Sequence, residues 1–182
     1  CEDGWVVASA LIQATERLKF LVAVRPGGLS VSIAARMAAS FDRLSSGRLL
    51  INVVTGGDPV EMKGDGIFLS HEERYEATDE FLTVWKRLMT GETVTFHGKY
   101  VRVEGAKLQY VPFNRQSPPL FIGTSSEAGH NVAAKHIDTY LTWAETPAMV
   151  AEKIADVRAR AHALGRKIKI GLRVQIIVRE TA

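Results

Sequence analysis

The sequence predicts an α/β fold in which strands and helices alternate along the chain. Five short apolar runs have the length of buried strands, amphipathic helical stretches separate them, and serine or glycine stands at most boundaries. Such alternation indicates a parallel sheet with right-handed crossovers, which a doubly wound sheet and a (β/α)8 barrel both satisfy. A closed barrel usually needs about 250 residues. We therefore expect the 182 residues to be a piece of a longer protein.

Residues 1–90 supply three predicted helices and two predicted strands. The helices are expected over residues 5–14, from Ser30 or Ser32 to residue 44, and over residues 72–89, and the strands over residues 18–24 and 49–55. Ile33, Met37, Phe41 and Leu44 recur at helical spacing, and Gly47 occupies a typical position for a C-terminal helix glycine. Residues 56–70 are predicted to form a polar connection.

Residues 91–118 interrupt this rhythm with a predicted β-hairpin insertion. Its strands, residues 93–96 and 100–103, flank His97-Gly98-Lys99. The remaining strands are expected over residues 120–123, 139–143 and 169–178, and the helices from residues 124–126 to 135 and from Thr146-Pro147 to just before Gly165. Pro147 directly after a threonine is typical of a helix start.

Composition excludes several classes of protein. The net charge is +3 and the 23 basic residues are scattered, which argues against a nucleic-acid-binding surface. No apolar run approaches the roughly 20 residues of a membrane span, and no secretory signal opens the sequence. The one cysteine, Cys1, excludes an internal disulfide framework and fits a reducing compartment. None of the five histidines has metal-ligand spacing, so no metal is predicted.

Asn52 is the first candidate site residue. It lies in an apolar strand that ends in Thr55-Gly56-Gly57-Asp58, the usual way in which a buried parallel strand opens onto a ligand. A buried amide without a partner costs about 1–3 kcal/mol. The partner of Asn52 is expected to be a ligand or, alternatively, neighbouring backbone.

Two segments have the chemistry of an anion site. Gly123 to Ser126 stand between a strand and a helix, where backbone amides and hydroxyls suit a phosphate, although a serine there also caps a helix without any ligand. Arg74 and Tyr75 near the start of the helix at residues 72–89 could clamp an anion, but spacing alone favours a solvated first turn.

Arg173 interrupts the last apolar strand, and Gln175 two residues later would share its face. An arginine on a buried strand needs an acidic partner or a polar cavity. The pair indicates either an anionic site or an ion pair with a neighbouring strand. Cys1 is either a thiol near a cavity or an inert terminal residue.

Several motifs, taken in order and with their spacing, resemble the alkanesulfonate monooxygenases of the bacterial-luciferase-like superfamily. They are Cys1 to Trp5, Asn52 to Gly56, His71 to Glu76, Gly105 to Leu108, Gly123 to Ser126, Leu141 to Trp143 and Val178 to Thr181. The resemblance covers essentially the whole chain. As a set, the motifs are highly specific for the superfamily and fairly specific for its sulfonate branch.

The resemblance implies a (β/α)8 TIM barrel of the bacterial-luciferase-like type, of which residues 1–182 would form one partial domain with about strands 3 to 7. It also implies a cytoplasmic homo-oligomer that receives reduced FMN (FMNH2) from an NAD(P)H-dependent FMN reductase. With O2, such enzymes convert an organosulfonate to an aldehyde and sulfite.

Site residues also follow from the resemblance. The positions that match cofactor contacts are Asn52, Thr55, Glu61, Arg74, Tyr75, Ser125 and Ser126. Asn52 matches a contact with the flavin ring edge, whereas Arg74, Tyr75 and the two serines match positions near the FMN phosphate. Cys1 matches a cysteine at the rim of the active site, and Arg173 a basic residue beside the substrate.

Gln175 departs from the family pattern, because the sulfonate enzymes have histidine there. Glutamine forms hydrogen bonds but does not change charge near neutral pH. The substrate could therefore be another organosulfur compound or an alkane. Two further alternatives are a deazaflavin-dependent hydride-transfer enzyme and an inactive fragment whose open sheet edges would associate.

Overall fold

The computed structural model describes residues 2–179. The helices are α1 (Gly4–Leu11), α2 (Val31–Leu44), α3 (Pro59–Gly64), α4 (His71–Met89), α5 (Glu127–His136) and α6 (Pro147–Ala163). The strands are β1 (Phe20–Val24), β2 (Leu49–Val53), β3 (Val94–His97), β4 (Arg102–Ala106), β5 (Leu120–Gly123), β6 (Thr139–Trp143) and β7 (Lys169–Arg173). The chain divides into two compact units, Cys1–Phe121 and Ile122–Ala182.

The first unit is built on parallel strands. β1 and β2 pair from Phe20 with Leu49 to Val24 with Val53, and β5 follows β2 in the strand order. Burial alternates along β1, so Phe20 is buried whereas Leu21 is 48% exposed. One face of this sheet is therefore covered by helices, and the other face carries Ala23, Leu21 and the half-buried Asn52.

The apolar faces that the sequence predicts for α4 and α2 are buried to different extents. In α4 the predicted apolar face is confirmed, since Phe81, Val84, Trp85 and Leu88 are all buried. In α2 only Phe41 of the predicted face is buried, because Ile33 is 41% and Leu44 68% exposed and alanines supply most of the buried positions. Small alanines let a helix approach its neighbours closely, which the larger side chains would prevent.

The hairpin of β3 and β4 is a separate two-stranded antiparallel sheet. Its strands begin one to two residues later than expected, so residues 98–101 connect them. Glu80 of α4 accepts hydrogen bonds from the backbone N–H groups of Lys99, Tyr100 and Val101, each at 2.8 Å. The carboxylate thus holds the connection against α4.

The second unit contains the end of β5, then β6 and β7. β6 and β7 are parallel, from Thr139 paired with Lys169 to Trp143 paired with Arg173. α5 and α6 pack together. As expected, Thr146 caps α6 and Pro147 is in its first turn.

Two predicted boundaries are wrong for identifiable reasons. The last strand ends at Arg173 rather than at Val178, because its neighbour β6 ends at the register partner Trp143. The Ala144 N–H still donates to the Arg173 carbonyl oxygen at 3.1 Å, and the chain then turns toward α6. The polar connection at residues 56–70 contains α3, which begins because Asp58 accepts from the N–H groups of Val60 and Glu61.

Candidate functional site

A cavity of about 540 Å³ lies in the first unit where β1 and β2 end. Its apolar lining is Trp5, Ala23, Val24, Leu29, Met37 and Val54, and its charged lining is Asp3, Arg25, Glu61 and Asp65. The carboxyl ends of parallel strands are the usual place for a ligand in α/β folds. An apolar cavity with a few charged groups fits a small-molecule site.

Arg25 organises the charged side of this cavity. Its guanidinium contacts Asp65 Oδ2 at 2.5 Å and Glu61 Oε1 at 3.3 Å. The two carboxylates come from α3 and the residue that follows it, so the ion pairs tie α3 to the end of β1. Trp5 completes the wall by donating its indole N–H to the Ala23 carbonyl oxygen at 3.0 Å.

Asn52 and Thr55 lie at the end of β2 as the sequence predicts, although Thr55 follows the strand rather than ending it. The Asn52 side chain is half-buried and forms no side-chain hydrogen bond within residues 2–179. Backbone satisfaction of Asn52, the alternative interpretation, is therefore not found in the described part of the chain. Thr55 is buried, with 6% of its surface exposed.

Arg74 lies beside the segment that follows β2. A Cβ built on Gly56 would stand 3.7 Å from Arg74 Nη2 and 3.9 Å from Nε. Nη1 donates to the Leu69 carbonyl oxygen at 3.0 Å, while the buried Nε has no hydrogen-bond partner in the described chain. A buried donor without an acceptor is costly, so this position suits an anion.

Tyr75 adjoins Arg74 on α4 and is half-buried. Its ring contacts His71 edge to face, with 5.1 Å between ring centroids. The capping box of Ser70 and Glu73 starts α4 one residue earlier than predicted. It fixes the first turn, from which both Arg74 and Tyr75 project.

In the second unit, α5 begins at Glu127 and Ser126 is its N-cap. The Ser126 hydroxyl accepts from the Gly129 N–H at 3.2 Å, so the capping alternative is correct for this side chain. Ser125 is exposed and precedes the cap. The predicted anion groups of this segment are then the Ser125 hydroxyl and the backbone N–H groups at the start of α5.

Arg173 is exposed at the end of β7, and its guanidinium lies over the Trp143 ring, 4.5 Å from the centroid. A cation–π contact therefore takes the place of the ion pair that was the alternative interpretation. Gln175 is exposed and lies beyond the end of β7, so the strand that was predicted to carry both side chains stops before it. Cys1 lies outside the described residues.

The sequence interpretation missed Arg25, Asp65 and Trp5. Arg25 directly follows the buried strand β1, and an arginine in that position is itself a signal of a polar site. Among residues 2–179 no group of three His, Cys, Asp or Glu side chains is arranged to hold a metal ion. Within the same residues, no helix combines the length and apolar character that crossing a membrane requires.

Comparison with known proteins gives one family and several structural relatives. The model of the luciferase-like monooxygenase family matches residues 1–182. A solved structure of riboflavin lyase (RcaE), with modified FMN and riboflavin, superposes with a TM-score of 0.87 at 26% identity, covering 94% of this chain and 44% of that one. Long-chain alkane monooxygenase (LadA) gives 0.85 at 28% identity, covering 94% and 45%.

DmoA from Hyphomicrobium sulfonivorans gives a TM-score of 0.83 at 25% identity, covering 94% of this chain and 42% of that one. The chain thus spans less than half the length of these three relatives. The superpositions confirm the predicted fold class, a parallel α/β sheet that forms part of a barrel.

Proposed function

Because this chain belongs to the luciferase-like monooxygenase family, we propose that it is part of a flavin-dependent monooxygenase that uses reduced FMN and O2. The substrate proposed first is an alkanesulfonate, which the enzyme would convert to an aldehyde and sulfite. One oxygen atom enters the product and the other leaves as water, with two electrons from the reduced flavin. The substrate rests on the resemblance of the motifs to the sulfonate branch.

The observation that carries the cofactor assignment is the buried Arg74 Nε beside Gly56, which has no hydrogen-bond partner among residues 2–179. A phosphate oxygen there would supply the missing acceptor, and charge-assisted hydrogen bonds to arginine are among the strongest in proteins. Gly56 leaves room for the approach, because it has no side chain. These residues therefore fit the phosphate end of FMN.

The remaining residues would bind and orient the cofactor. We assign Asn52, whose amide forms no side-chain hydrogen bond in the described part of the chain, to the edge of the flavin ring, and Thr55 and Glu61 to neighbouring flavin contacts. Tyr75, Ser125 and the backbone N–H groups of Ser126 and of the amino end of α5 would add hydrogen bonds to the phosphate. Bound reduced FMN supplies the electrons that activate O2, while the protein supplies position and charge.

On the substrate side, we assign Arg173 to the sulfonate group. Trp143 beneath its guanidinium would fix the orientation of the cation. Gln175 and Cys1 are proposed to lie beside the substrate in the complete site. The further proposals are an NAD(P)H-dependent FMN reductase as partner, a homo-oligomeric assembly and a cytoplasmic location.

A second candidate keeps the cofactor and changes the substrate to an alkane or another organosulfur compound. Gln175 in place of the family histidine favours it. So does the 28% identity with a long-chain alkane monooxygenase.

The test supplies the protein with a flavin reductase, NAD(P)H, FMN and a series of alkanesulfonates and alkanes, and measures sulfite and alcohol. If the gene encodes a longer chain, that chain is the one assayed. Sulfite release that depends on both FMN and O2 supports the first substrate. Alcohol from an alkane without sulfite supports the second, and flavin-independent or absent turnover contradicts both.

A further inference from the structure

A chain of three hydrogen bonds in the second unit runs from α6 to the loop before α5. Asp156 Oδ2 lies 2.6 Å from His130 Nδ1, and His130 Nε2 lies 3.1 Å from Tyr140 Oη. Tyr140 Oη then donates to the Thr124 carbonyl oxygen at 2.6 Å. The chain therefore ends on the backbone of the residue just before Ser125 and Ser126.

The protons available in this series of hydrogen bonds determine which of the two His130 ring nitrogens must donate. Tyr140 has one hydroxyl proton and gives it to the Thr124 carbonyl, so the phenol oxygen accepts from His130 Nε2. The ionised carboxylate of Asp156 can only accept, so His130 Nδ1 donates as well. All three bonds form together only when both ring nitrogens carry a proton. A neutral ring would leave one of the three contacts without a proton.

Asp156 is held in the ionised state that this arrangement needs. His130 donates to it and, from the same helix, Arg160 Nε lies 2.9 and 3.0 Å from its two oxygens. The hydrogen bond from His130 and then the Arg160 guanidinium lower the pKa of this carboxyl. Arg160 also approaches Glu127 at 3.5 Å, so its guanidinium is shared between two carboxylates, and the His130 ring that Asp156 contacts is buried.

Thr124 is fixed from its other side by α5. A Cβ on Gly129 would stand 1.9 Å from Thr124 Oγ1 and 2.7 Å from Thr124 Cβ, so the side chain packs directly on the bare backbone of the first turn. The carbonyl bond to Tyr140 and this packing together leave the loop little freedom. The positions of the Ser125 hydroxyl and of the α5 amide groups follow from it.

We propose that Asp156 and His130 are positioning residues, which act through Tyr140 to hold the loop at residues 124–126 in the conformation that receives the flavin phosphate. This inference rests on the proposed function for its ligand. The hydrogen-bond chain itself does not depend on flavin. Neither residue touches the cofactor in this assignment, and their effect passes through the Thr124 carbonyl.

The experiment compares the protein with its Asp156→Asn, Tyr140→Phe and doubly substituted variants. Glu152→Gln is the matched control, because it removes an exposed carboxylate from the same helix. Affinity for anaerobically reduced FMN is measured for each. We expect each single variant to lose about five- to tenfold, as for one hydrogen bond of about 1 kcal/mol, and Glu152→Gln to lose nothing. The double variant should lose no more than either single one, since both break the same chain.

Two flavin-free measurements accompany the affinities. ¹H–¹⁵N NMR of the His130 ring should show the Nδ1 proton held in a hydrogen bond in the wild type, and that hydrogen bond weakened in Asp156→Asn. Amide hydrogen exchange at Ser125 and Ser126 should be faster in Asp156→Asn and Tyr140→Phe than in the control.

A His130 Nδ1 proton that is not hydrogen-bonded in the wild type, or independent and multiplicative losses of affinity, would overturn the proposal. If the wild type binds no reduced FMN, the proposed function fails. In that case hydrogen exchange is the test of the positioning role. Faster exchange at Ser125 and Ser126 in Asp156→Asn and Tyr140→Phe supports the role, and unchanged exchange refutes it.

Discussion

Gly98 lies directly against Glu80: a Cβ built on Gly98 would stand 2.3 Å from Glu80 Oε2. The contact is close because the carboxylate reaches into the connection between β3 and β4, where it accepts three backbone N–H groups. The absence of a side chain at residue 98 and the position of the carboxylate at residue 80 therefore depend on each other.

Gly98→Ala should lower the free energy of unfolding by about 1–3 kcal/mol, because the new methyl group displaces the carboxylate and leaves the part-buried N–H groups of Tyr100 and Val101 unpaired. Gly64→Ala is the control, since nothing lies within 4 Å of a Cβ at that position. Urea denaturation of both variants measures the difference. Equal stability of the two would show that the hairpin connection readily shifts.

Glu80→Gln should also destabilise the protein, by about 1–3 kcal/mol. Oε1 accepts from Lys99 and Oε2 from both Tyr100 and Val101, so an amide nitrogen in place of either oxygen faces a donor. Glu76→Gln is the comparison: Glu76 is more than half exposed and binds only side chains, so its loss should cost at most about 1 kcal/mol. The reverse order of the two effects would contradict the assignment.

Arg74→Lys should weaken binding of reduced FMN by about 1–3 kcal/mol. Lysine keeps the charge but lacks the planar fork that carries Nε. Arg87→Lys, in the last turn of the same helix and paired with Glu92, should leave affinity unchanged. Anaerobic titration followed by flavin fluorescence or calorimetry checks this. An unchanged affinity in Arg74→Lys would remove Arg74 from the phosphate site.

Tyr75→Phe combined with Ser125→Ala should weaken binding of reduced FMN by about 1–3 kcal/mol in total, from lost hydrogen bonds to a charged group. Both substitutions keep the size of the side chain and leave the cap residue Ser126 in place. A double variant that binds FMN as tightly as the wild type would contradict the assignment of these hydroxyls.

Acid should remove the contribution of Asp156 to stability. Its pKa is lowered below 3.8 in the folded protein by hydrogen bonds from His130 and Arg160. The stabilisation is therefore fully present above pH 3.8 and is lost as the pH falls through the folded value. Denaturation of the wild type and of Asp156→Asn between pH 7 and pH 2.5 should give curves that converge at the acid end. A constant difference would show that ionisation of Asp156 does not contribute.

Sequence reasoning succeeded where a local pattern determines the outcome. The alternation of strands and helices gave the fold class, Thr146-Pro147 gave the start of α6, and Gly47, at a φ of 80°, ends the turn after α2. Each of these depends on backbone chemistry within a few residues of chain. Arg74 was also placed correctly, at the start of a helix.

The rest depends on contacts between distant residues. The end of β7 is determined by where β6 stops, which no pattern within residues 169–178 contains. Arg25 meets Asp65 forty positions away, and His130 meets Asp156 across two helices. A lone histidine in a sequence carries no sign of such partners. Asp58 is an exception, because an aspartate followed by proline is itself a helix-start signal that was overlooked.

The packing of Thr124 on Gly129 has a consequence for protein engineering. A library that varies residue 129 alone would return glycine, because any Cβ there meets the oxygen, the methyl group and the Cβ of Thr124. Only glycine at residue 124 removes all three atoms, so residues 124 and 129 have to be varied together. The reciprocal exchange, Thr124→Gly with Gly129→Ala, is the smallest change that removes these three contacts while it adds a side chain at residue 129.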